Sequence, residues 1–221
     1  MKTGIMTDGE IKRDVARELE WEPMVTAAGI GVAVRDGTVT LTGDVATYAE
    51  KLAAVEAAKR VYGVRAVADE LRVKLSSRHQ RDDSDIAEAV ANVLRWNVNI
   101  PEGRVTATVR NGVVTLQGTV ELAYQRYEAE RAVHNVVGVV AVFNEMQVEQ
   151  QASAKRVEEQ ISEALRRGAD LDAQRIRVEV HGGTVELSGR VHSLHEADLA
   201  RWVVMSAPGV NEVKSHLVVE P

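Results

Sequence analysis

With 27 Lys and Arg against 33 Asp and Glu over 221 residues, the chain carries a net charge of −6 and lacks the basic surplus that neutralises nucleic-acid phosphates, so nucleic acid is not an expected partner. The absence of cysteine removes disulfides, thiolate metal sites and thiol nucleophiles, and fits either redox compartment. No apolar run approaches the roughly 20 residues that span a bilayer, and the N-terminus holds no apolar core of signal-peptide length. The sequence as given therefore predicts a cytosolic chain, or a periplasmic one if a signal has been removed.

The first predicted element is a short amphipathic helix. Thr7 is its expected N-cap, Glu10 completes a capping box, and Ile11, Val15 and Leu19 follow at i, i+4, i+8. Alternation with period two at Ile30, Val32 and Val34 then predicts a strand with one buried face. Asp36-Gly37 fills a two-residue hairpin turn, because both residues tolerate the positive φ of a type I′ turn. A second strand carries Val39 and Leu41 and ends near Gly43. The next helix has a face of small residues, Ala54, Ala57 and Ala58, with Val61, which predicts close approach to the sheet. Gly63 is expected as its C′ glycine, and Val67, Leu71 and Val73 mark a third strand.

The same series then recurs twice. The hairpin reads DGTVTLTGDV at 36–45, NGVVTLQGTV at 111–120 and GGTVELSGRV at 182–191. Glycines head each copy, and others follow six residues later (Gly43, Gly118, Gly189) and a further twenty on (Gly63, Gly138, Gly209). Asp82 and Ser153 align with Thr7 as expected caps. The first-helix stripes become Ile86, Val90, Leu94 and Val157, Ile161, Leu165. Three landmarks at fixed spacing identify an internal repeat, with units at 7–75, 82–150 and 153–221 carrying charges of −2, −5 and −2. Each unit is near the lower size limit for independent folding, so contacts between units are expected to add stability. The polar connector 76–81 (SSRHQR) predicts a loosely tethered first unit, whereas only Gln151 and Ala152 separate the second unit from the third.

The order αββαβ, with a right-handed crossover through the second helix, gives the expected fold: α+β, three tandem modules, each a three-stranded mixed sheet with two helices on one face. The pattern V-x-V-x-x-G-x-V-x-L-x-G-x-V, followed twenty residues later by G-V-x-x-V, resembles the BON domain. The third copy, LDAQRIRVEVHGGTVELSGRV with PGVNEVKSHLVV, is the most similar. The resemblance implies a non-enzymatic protein with roles in envelope maintenance and osmotic or general stress. It also implies phospholipid contact around the first helix, and a cytosolic branch linked with potassium binding.

Trp21 and Trp96 stand two residues beyond Leu19 and Leu94, so they point roughly opposite the core stripe if the helix still turns there. Exposed, they suit a membrane interface, with Arg166 and Arg167 as local basic groups; the third unit has Arg167 at the Trp position. The reading favoured from sequence alone is instead that each Trp covers the bottom of its own core or packs between units. Trp202 replaces the charges of Glu56 and Arg131 on the expected solvent face of the second helix, which predicts an interface between units or between chains. His192 and His195, with Glu196 or Asp198, lack the three or four converging ligands of a zinc site, and Asp82, Asp83 and Asp85 are explained by helix capping. No G-x-S-x-G, H-E-x-x-H or Walker loop is present, and no enzyme activity, cofactor or metal is expected. The expected function is a binding or scaffolding protein of the stress and envelope class, contacting anionic phospholipid or a membrane-associated protein. The alternative is a cytosolic small-ligand or potassium-type cation sensor that rearranges its units.

Overall fold

The computed structural model describes residues 6–149, 161, 164, 175–181, 183–207 and 209–220. The first unit comprises α1 (Asp8–Trp21), β1 (Ile30–Arg35), β2 (Thr38–Val45), α2 (Tyr48–Arg60) and β3 (Ala66–Val73). The second comprises α3 (Asp83–Trp96), β4 (Val105–Arg110), β5 (Val113–Val120), α4 (Ala123–Val133), β6 (Ala141–Asn144) and β7 (Gln147–Val148). The third comprises β8 (Ile176–His181), β9 (Thr184–Val191), α5 (Leu194–Met205) and β10 (Glu212–Val219). Ile161 precedes these as a helical residue, fully buried in the third core. Val157 and Leu165 of the same stripe, and the cap Ser153, lie outside the described residues.

Each sheet is mixed, with the hairpin's second strand in the middle. β1 runs antiparallel to β2 with Ile30 opposite Gly43, and β3 runs parallel to β2 with Thr38 opposite Ala66. The other units repeat this order, the parallel partner of β5 being split into β6 and β7. The hairpin turn takes the predicted positive φ at Asp36 (50°) and Gly37 (75°), and at Asn111 (51°) and Gly112 (74°). The recurrent Gly43, Gly118 and Gly189 have a steric cause. A Cβ there would lie 2.1, 2.0 and 2.0 Å from the carbonyl oxygens of Gly29, Arg104 and Arg175, so no side chain fits where the first strand enters the hairpin.

Ile11, Val15 and Leu19 bury the inner face of α1, and Ala54, Ala57 and Ala58 that of α2, against Val39 and Leu41. The small residues let the helix lie close on the sheet. The second and third units build equivalent cores around Leu116 and Leu187.

Three local expectations need correction. Thr7 and Glu10 form the capping box, but Asp82 makes no side-chain cap bond. Gly63 is not the C′ residue, because α2 caps at Val61 and the glycine follows two residues later. It sits under α1, where a Cβ would meet Ile11 Cδ1 at 3.2 Å, and Gly138 sits equivalently under Ile86. Finally, the first unit is not loosely held despite its polar connector. Its α2 packs against α5 of the third unit, and Tyr48 packs on the second unit's core.

Candidate functional site

Two first-helix ends carry the most exposed aromatic surface among the described residues. Trp21 closes α1 and is 82% exposed; Trp96 closes α3 and is 80% exposed. Both helices keep turning through the tryptophan, which sets the indole about 200° round from the buried leucine two residues before it. The favoured sequence reading, in which these rings pack on a core or between units, is therefore corrected: both face solvent. Met24 (54%) and Val98 (97%) extend the two apolar tips. The tip at Trp21 is braced from behind, since Arg60 donates to Glu18 at 2.9 Å and to Glu22, the helix cap, at 2.8 Å. Arg166 and Arg167 lie outside the described residues.

A groove of about 450 Å³ opens between α3 and β4. Ala87, Ala91, Leu94, Ile100, Val105 and Ala107 make it largely apolar, with Arg95 and Glu102 at its rim. Leu94 lines this groove and Trp96 does not, so the groove and the indole lie on different faces of α3.

Trp202 is elsewhere, on α5, half-exposed in a crevice of about 320 Å³ where the second helices of all three units converge. Glu56 and Lys59 of α2, Tyr127 and Glu130 of α4, and Asp198 and Arg201 of α5 share that crevice. Glu56 is half-buried here and not on a free solvent face. Lys59 Nζ donates to Asp198 at 2.8 Å and to Glu56 at 3.0 Å. Burial works against the lysine's charge, but the Asp198 and Glu56 carboxylates outweigh it and hold the ammonium above its ordinary pKa.

At the other end of α2, Tyr48 packs at right angles to His134 of the second unit, with ring centroids 5.5 Å apart at 83°. Burial and the nearby Glu130 carboxylate push the Tyr48 phenol up. Glu130 is itself held below the usual carboxyl range, first by the facing His134 imidazole and, against desolvation, by the Asn144 amide at 3.0 Å.

No group of three or more His, Asp or Glu that could hold a metal ion occurs among the described residues, and no described helix is long and apolar enough to cross a membrane. His192 is instead a backbone donor, its N–H reaching the Glu196 carboxylate at 2.6 Å. Sequence reasoning missed the roles of Tyr48, Lys59 and Asp198, whose partners lie in other units.

Residues 7–74, 82–150 and 153–221 each match the BON domain, and the chain belongs to that family. It is 31% identical over 146 residues to osmotically-inducible protein Y of Escherichia coli (strain K12), a match that spans 64% of this chain and 72% of the relative. Two structures of CdsD, the structural protein of the type III secretion system of Chlamydia trachomatis, align at 16% identity. One, its C-terminal domain, covers 98% of this chain and 100% of its own; the other covers 95% and 91%. Both have a TM-score of 0.26, too low to bear on the arrangement of the units.

Proposed function

We propose that the chain is a non-enzymatic binding protein of the bacterial stress and envelope class, and that it contacts phospholipid, or a protein at a membrane surface, through the Trp21 and Trp96 tips. The observation that carries this reading is the pair of indoles at equivalent positions, each more than three-quarters exposed and each flanked by a second apolar residue. The likeness to an osmotically inducible protein supports it. Glu18, Glu20 and Glu22 surround Trp21, so the attraction is mainly apolar and interfacial, with little help from anionic headgroups. Co-sedimentation with phosphatidylcholine vesicles, with and without phosphatidylglycerol, over a range of salt tests it. Binding to both compositions with weak salt dependence is expected; sedimentation with neither removes the lipid reading.

A further inference from the structure

At two contacts between units the beginning of one second helix meets the end of another, and at the third the equivalent residues line one crevice. Leu194, the first residue of α5, packs against the first unit's core, and Asp198 one turn later reaches Lys59 near the end of α2. Tyr48, the first residue of α2, meets His134 at the end of α4. The repeat aligns Tyr127 with Asp198 and Met205 with Lys59, and these two line the same crevice between α4 and α5. The sense is the same each time: third onto first, first onto second, second onto third. A head-to-tail contact repeated with one sense closes into a ring when the last copy meets the first.

We infer that the start of each second helix is a docking surface whose partner is the end of the next unit's second helix, so that the three units close into a ring in a fixed order. The residues differ: carboxylate on ammonium at Asp198 and Lys59, phenol beside imidazole at Tyr48 and His134, and a phenol and a thioether sharing one crevice at Tyr127 and Met205. In the second unit the repeat places His134 where the first has Lys59, so Asp198 meets its ammonium partner only on the first unit. Trp202 stands where the repeat has Glu56 and Arg131, which keeps a further charge out of the crevice into which all three helices face.

The chain has no cysteine, so spin labels on introduced cysteines report one pair each. Arg35, Arg110 and His181 are exposed, equivalent positions, one per unit. Cysteines at these sites, taken two at a time in the full chain, are expected to give three narrow and nearly equal distances. Lys59→Asp is expected to broaden and lengthen the distance between positions 35 and 181, and Lys59→Asp with Asp198→Lys to restore it. Circular dichroism confirms that the charge variants remain folded. Three clearly unequal distances in the wild type, no change on Lys59→Asp, or no recovery on exchanging the two charges would each overturn the proposal.

Discussion

The carboxylate of Asp8, the first residue of α1, holds the hairpin turn at Gly37: Oδ1 accepts the Gly37 N–H at 3.0 Å while Oδ2 accepts that of Asp36 at 2.8 Å. Asp83 does the same for Asn111 and Gly112, at 2.7 and 2.9 Å. Two turn amides that face no ladder partner are thus satisfied by one side chain that also sits favourably at a helix N-terminus. Asp8→Ala is expected to cost about 1–2 kcal/mol and Asp8→Asn less, since an amide oxygen still accepts one bond. Urea unfolding measures the loss. Hydrogen exchange at the Asp36 and Gly37 amides should quicken in Asp8→Ala.

Two glycine substitutions should move in opposite directions. At Gly43 a Cβ would stand 2.1 Å from the Gly29 carbonyl with φ at 126°, so Gly43→Ala is expected to destabilise the first unit by about 2 kcal/mol or more. At Gly9, within α1, nothing lies within 4 Å of the added carbon, and Gly9→Ala should stabilise by about 0.5–1 kcal/mol. Thermal unfolding of the two variants beside the wild type checks both signs.

The acid limb of stability should depend on Glu130. Its folded pKa lies below the ordinary 4.5, so its contribution is present above the unfolded value and is lost as pH falls through the folded one. Lys59 acts at the other end. With its folded pKa above 10.5, its contribution is complete below that value and is lost as pH rises through the folded pKa. Unfolding in urea as a function of pH should show Glu130→Gln flattening the acid limb and Lys59→Met flattening the alkaline one.

The parts of the fold that were legible in the sequence are those with a local cause. Asp36-Gly37 and its copies declare a turn because the backbone there needs positive φ, and Ile11, Val15 and Leu19 declare a face because a helix repeats every 3.6 residues. Asp8 and Asp83 were harder to read, because an acidic residue at a helix start already has a sufficient explanation in the dipole. The Lys59 to Asp198 contact spans 139 residues and has no periodicity to announce it. For Trp21 and Trp96 the spacing from Leu19 and Leu94 gave the direction of the ring. Whether anything covered it is a property of the surrounding units, which no local pattern records.

The two exposed indoles carry the proposed membrane contact, and the chain's three tryptophans make them observable. Trp202→Phe leaves Trp21 and Trp96 as the fluorophores. On addition of phosphatidylcholine vesicles, their emission is expected to shift to the blue and to be quenched by brominated lipid. Trp21→Ala and Trp96→Ala should each weaken vesicle binding about tenfold, as loss of roughly 1.4 kcal/mol or more of interfacial burial requires. Unchanged emission, together with wild-type sedimentation of the Trp21→Ala, Trp96→Ala double variant, would contradict the account.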